Sequence, residues 1–154
     1  MLPVGQSIIV VTATDAVGNS SSANVGLTVT NNTPPVVHCV TATPNILNPP
    51  NHQIVPVTVS VFASGNCDGS LVSKIVSVIS SEPAAPGDIQ ITGDLTLNLA
   101  ASRNPSGPGR SYTITVQSTD ASGNASTATV IVTVPKGNGT STGTLVTNIK
   151  KKKI

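Results

Sequence analysis

Residues 7–30 and 112–135 of this 154-residue chain are two copies of one sequence. Ser7-Ile-Ile-Val-Val-Thr-Ala-Thr-Asp-Ala-Val-Gly-Asn-Ser-Ser-Ser-Ala-Asn-Val-Gly-Leu-Thr-Val-Thr30 lies over Tyr112-Thr-Ile-Thr-Val-Gln-Ser-Thr-Asp-Ala-Ser-Gly-Asn-Ala-Ser-Thr-Ala-Thr-Val-Ile-Val-Thr-Val-Pro135 without a gap, with about half of the positions identical. The offset is about 105 residues, the length of one small sandwich domain. A match of that length at that spacing marks a repeat array.

Each copy reads as a β-hairpin. In the second, Tyr112, Ile114 and Val116 alternate with Thr113, Thr115 and Gln117. Beyond the turn, Ala128, Val130, Val132 and Val134 alternate with Thr127, Thr129 and Thr133. A period of two gives one buried and one wet face. The turn is Asp120-Ala-Ser-Gly-Asn124. Gly123 and Asn124 tolerate positive φ, and Asp120 can accept bonds from backbone amides ahead of it. Asp15, Gly18 and Asn19 take the same places in the first copy.

The segment between the copies supplies further short apolar runs. Val36 to Thr43 reads as an edge strand, bracketed by Pro34, Pro35 and Pro44, residues that an edge tolerates. From Ile54 to Phe62, Val55, Val57, Val59 and Val61 point one way. Leu71 to Ile79 is strand-like but alternates less cleanly, and Ile89 to Leu99 reads as one further alternating run. Helical periodicity is absent, and the apolar residues are mostly β-branched, as pleated surfaces prefer. The expected fold is all-β: an immunoglobulin-like antiparallel β-sandwich of about seven strands. Residues 1–30 then supply only the C-terminal hairpin of a preceding repeat, 31–135 a complete domain, and 136–154 a flexible linker ending in the basic tail Lys150 to Lys153. Phe62 and Tyr112, the only aromatic residues, are expected in the core. For Tyr112 two readings stand: a tyrosine corner at the start of the penultimate strand, or a core ring with a wet hydroxyl. A lone hairpin is marginal in water, so residues 7–30 are expected to dock on the domain, pair with a neighbour or fray.

The same residues argue against most chemistry. Charged side chains are 9% of the chain, against about 25% in ordinary domains. Half of the basic residues lie in the terminal lysine run, leaving no basic stripe and no aromatic platform for nucleic acid. No apolar stretch is long enough for a helical membrane span. No leader precedes the first strand-like run, so the chain is expected to begin inside a longer parent or to be a mature piece. Serine is abundant, but no Gly-x-Ser-x-Gly elbow occurs, and Glu82 and Asp88 share nothing more than a Pro/Gly-rich loop. No enzyme is expected. Cys39 and Cys67 are the only cysteines, and in an oxidising compartment a disulfide is expected between them. His38 and His52 could join them around zinc, but the spacing is not that of a zinc motif. Calcium is the metal that Asp15, Asp68, Asp88, Asp94, Asp120 and Glu82 would suit, although they are dispersed and Asp15 and Asp120 are explained as turn formers. The expectation is therefore no cofactor, with calcium as the alternative. Asn19, Asn31, Asn124 and Asn138 begin Asn-x-Ser/Thr patterns that chance explains.

The hairpin copies resemble the ends of hyalin-repeat domains and related bacterial immunoglobulin-like modules. The carrying residues are Leu2-Pro-Val-Gly5 with Val11-Thr-Ala-Thr-Asp-Ala-Val-Gly-Asn19, and Asp120, Gly123 and Asn124 in the second copy. Pro34-Pro-Val-Val-His-Cys39 is similar to the start of the next repeat in such arrays. Leu47-Asn-Pro-Pro-Asn-His52 with Val55-Pro-Val-Thr-Val59 looks like a segment of secreted repeat proteins, except that Asn48 stands where a Trp is usual. The resemblance covers residues 1 to about 135 and implies an extracellular or surface location. It implies a structural spacer or adhesion role only loosely, since one fold hosts many functions. The implied partners are neighbouring repeats, with self-association through the first hairpin, or calcium or glycan binding, as alternatives.

Overall fold

The computed structural model describes residues 4–65 and 70–137. Among them the chain forms nine strands and no helix: β1 (Gly5–Thr14), β2 (Ser20–Val29), β3 (Val36–Thr43), β4 (Ile54–Ser64), β5 (Val72–Ser80), β6 (Ile89–Ile91), β7 (Thr96–Ala100), β8 (Gly109–Thr119) and β9 (Ala125–Pro135). They make three antiparallel sheets: β1-β2, β3-β4-β7-β6 and β5-β8-β9.

The two larger sheets share one core. Val57 and Val59 of β4 and Leu97 and Leu99 of β7 meet Ile75 of β5, Tyr112, Ile114 and Val116 of β8 and Val132 and Val134 of β9. These are the inward positions of the period-two pattern, so the sequence's alternation and its burial agree. The arrangement is sandwich-like and not a closed barrel. β3 lies at the edge of its sheet, as its flanking prolines led us to expect. The outer edge of β9 is partly covered by the segment after β3. There the Leu47 amide donates to the Thr133 carbonyl at 2.8 Å and the Thr133 amide to the Asn45 carbonyl at 2.9 Å. This covering blunts an edge that would otherwise offer unpaired backbone groups and plugs Leu47 into the core.

Two expectations are corrected. Phe62 is not core: its ring is 67% exposed on the outer face of β4. With the four valines of β4 directed inward, a period of two forces residue 62 outward. There it lies opposite Cys39, its ring centroid 5.2 Å from that of His38. The run Ile89 to Leu99 is two strands, not one. The amides of Thr92 and Gly93 both donate to the Thr96 carbonyl, at 2.9 and 3.1 Å, so the chain reverses there and β6 pairs back on β7.

Candidate functional site

The two hairpin copies match pair for pair. Ile9 faces Val25 and Val11 faces Ala23, as Ile114 faces Val130 and Val116 faces Ala128. Their turns are built alike. In the first, the Gly18 amide donates to the Asp15 carbonyl at 3.2 Å, and the Asp15 amide to the Asn19 carbonyl at 2.9 Å. In the second, the Gly123 amide donates to the Asp120 carbonyl at 3.1 Å, and the Asp120 amide to the Asn124 carbonyl at 3.0 Å. Gly18 and Gly123 sit at φ +94° and +87°, which a Cβ would strain. The carboxylates finish both turns. Asp15 Oδ1 accepts from the amides of Val17 and Asn19 at 3.0 and 2.9 Å, and Asp120 Oδ1 from the Asn124 amide at 2.8 Å. Hydrogen bonding, first from the Asn19 side chain at 2.8 Å, holds the Asp15 carboxyl below its ordinary range.

The turns differ in what surrounds them. Asp15 and Asn19 are exposed, whereas Asp120 is buried. Asn31, just beyond β2, donates its side-chain amide to Asp120 Oδ2 at 3.1 Å. Asn124 Nδ2 spans Asp120 Oδ2 at 3.0 Å and the Asn31 carbonyl at 2.8 Å. Asn31 Oδ1 accepts from the Thr33 amide at 3.0 Å, and the Ser126 hydroxyl donates to the carbonyl of buried Pro35. The segment 31–35 is thereby tied to the β8–β9 turn at three points. Sequence reasoning placed the turn residues but missed Asn31. Only its position directly after a repeat copy could have signalled its role.

The faces differ as well. Ile114, Val116 and Val132 are buried, yet their counterparts Ile9, Val11 and Leu27 are exposed. Among the described residues β1 and β2 pair only with each other, and Ile8 and Val10 on the opposite face are exposed too.

At the far end of β8 lies a polar cluster that sequence reasoning also missed. Arg110 is 3% exposed. Its Nε donates to Ser80 Oγ at 2.7 Å, and its Nη1 to Asp88 Oδ2 at 2.9 Å and Ser102 Oγ at 3.0 Å. The guanidinium lies 4.6 Å from the centroid of the Tyr112 ring, within cation–π range. The Arg110 bond, before all else, holds the Asp88 carboxyl below its ordinary value. Tyr112 is fully buried, and its hydroxyl donates to the Ala100 carbonyl at 2.8 Å, so the wet-hydroxyl reading falls. Burial pushes its phenol up to about 12.

Among the described residues no three His, Cys, Asp or Glu side chains gather where they could hold a metal. Asp94 faces Lys74 at 3.7 Å. Asp88 serves Arg110, and Asp15 and Asp120 serve their turns. His38 Nε2 is 2.7 Å from Ser64 Oγ. His52 is held through its backbone, its amide donating to the Ala101 carbonyl at 3.0 Å. Cys39 is half-buried on β3 and forms no disulfide among the described residues. Its expected partner Cys67 lies outside them, as do Asp68 and the tail from residue 138. No helix among the described residues is long and apolar enough to cross a membrane. No family model matches the chain, and no curated protein matches it.

Proposed function

We propose that residues 31–135 form an immunoglobulin-like domain of a secreted or surface-displayed repeat protein of hyalin-repeat type. It acts without catalysis, as a spacer or adhesion module among neighbouring repeats. The observation that carries the reading is strand order. The sheets β3-β4-β7-β6 and β5-β8-β9 follow the A-B-E-D and C-F-G order of a constant-type immunoglobulin sandwich. Tyr112 supports it, since a tyrosine at the start of the sixth strand bonding to upstream backbone is the tyrosine corner of such folds. The repeated hairpin supports an array rather than a lone domain. No cofactor belongs to this reading. An oxidising compartment would close a Cys39–Cys67 disulfide.

The test is to probe intact cells of the source organism with an antibody against the chain. Staining without permeabilisation, and no free thiol in the denatured, unreduced protein, are the expected results. Staining only after permeabilisation overturns the extracellular reading.

A second reading rests on one observation, the exposed face of Ile9, Val11, Val25 and Leu27. In the second copy the matching face is covered by β3, β4 and β7 through the shared core. The first hairpin would therefore complete a sandwich of the same kind, by pairing its edge and burying its face on a neighbouring repeat. Sedimentation should show association that rises with concentration and vanishes on deletion of residues 1–30. Equal association by the full and shortened chains would refute it.

A further inference from the structure

We propose that the Asp-x-x-Gly-Asn-x-Ser sequence of the β8–β9 hairpin, Asp120 to Ser126, is a latch that fixes the joint between this domain and the hairpin before it. The inference rests on the repeat-array reading above and adds how consecutive repeats are held. Three features carry it. The contacts are reciprocal: Asn31 donates to Asp120 through its side chain at 3.1 Å and accepts from Asn124 through its backbone at 2.8 Å. The acceptor is a carboxyl group buried at 7% exposure, where a polar group left without its partner is costly. The latch also sits where leverage is greatest. β2 ends at Val29, so gripping residue 31 leaves little freedom between the end of one hairpin and the start of the next domain. Pro34 and Pro35 stiffen the remainder by fixing φ, and the Ser126 hydroxyl holds the Pro35 carbonyl. A spacer gains reach from such a joint, because a locked array extends further than a freely jointed one.

The first hairpin repeats the device. Asp15, Gly18, Asn19 and Ser21 stand where Asp120, Gly123, Asn124 and Ser126 stand, with the same internal bonds around the aspartate.

The test compares Asn31→Ala, Asn31→Asp and the exposed-neighbour control Asn32→Ala in the full chain. Cleavage between residues 30 and 33 by a non-specific protease should be about tenfold faster in both Asn31 variants and unchanged in the control. Asn31→Asp sets a carboxylate against that of Asp120, so it loosens the joint without shrinking the side chain. Melting of each variant confirms that the domain itself is folded. Residual dipolar couplings give the second readout. One alignment tensor should fit the β1–β2 and β3–β9 amides of the natural chain, and two should be needed for Asn31→Ala. Cleavage of Asn31→Ala no faster than that of Asn32→Ala, or a natural chain that already needs two tensors, overturns the latch. The cell-surface assay reads location and is blind to the joint, so either proposal can fail alone.

Discussion

Replacing Asp88 by alanine should lower the unfolding free energy by about 3 kcal/mol, the low end of the cost of breaking a buried ion pair. Arg110 is nearly inaccessible at 3%, while the Asp88 side chain retains 17% exposure, which places the cost at the lower end. The substitution leaves a guanidinium that cannot shed its charge with the hydroxyls of Ser80 and Ser102 as acceptors and the Tyr112 ring beside it, but no counter-charge bonded to it. It also removes the acceptor for the Ala85 amide, 3.0 Å from Asp88 Oδ2. Arg110 already carries one buried nitrogen, Nη2, without a hydrogen-bond partner among the described residues. Urea denaturation should show a lower midpoint at an unchanged slope. The double variant Arg110→Met, Asp88→Ala should be less destabilised than Asp88→Ala alone, because no charge remains to strand. A double variant as unstable as the sum of the singles would locate the cost in packing instead. The pH dependence follows. Arg110 holds the folded Asp88 value below the ordinary 3.8. The contribution is therefore fully present above that pH and is lost as pH falls through the lowered folded value. Asp88→Ala should flatten this acid limb.

The strands were legible in the sequence because burial follows a period of two along β4, β8 and β9. The hairpin turns were legible because Asp, Gly and Asn have fixed duties in them. Phe62 was misplaced by weighing side-chain type above the alternation that its own strand displays. The split of Ile89–Leu99 was hidden because Ile91 and Leu95 keep the same parity across the turn, so the pattern runs on while the chain reverses. Asn31 and the Arg110 cluster were illegible for another reason. Both depend on contacts between residues far apart in sequence, Asn31 with Asp120 and Arg110 with Ser80 and Asp88, and no local spacing encodes those. The repeat could have revealed one of them by contrast. Arg110 and Tyr112 face Gly5 and Ser7 in the first copy, so the second hairpin carries there a pair that the first lacks.

That contrast sets the second large effect. Tyr112→Ser, the residue of the first copy, should cost about 3–5 kcal/mol, as for truncating a buried aromatic ring. It empties a site with 0% exposure and removes the ring beneath Arg110. Tyr112→Phe isolates the hydroxyl. It keeps the ring and leaves the Ala100 carbonyl without its donor, for about 1–3 kcal/mol. If the two variants cost the same, the hydrogen bond rather than packing anchors this corner. Alkali gives an independent check. Burial raises the folded phenol to about 12 from an ordinary 10.0. Its contribution is fully present below pH 10.0 and is lost as pH rises towards about 12. The chain has one tyrosine and no tryptophan, so phenolate absorbance reports this residue alone. A folded chain whose phenol titrates at the ordinary value would contradict the buried, bonded hydroxyl. The two clusters must also speak to each other. The Arg110 charge draws the Tyr112 value down and the Asp88 charge pushes it up. In Asp88→Ala burial and the Glu82 charge still raise the value but the Asp88 push is gone, so the phenol should titrate at lower pH than in the natural chain. A titration unmoved by that substitution would mean that Arg110, Asp88 and Tyr112 do not form one unit.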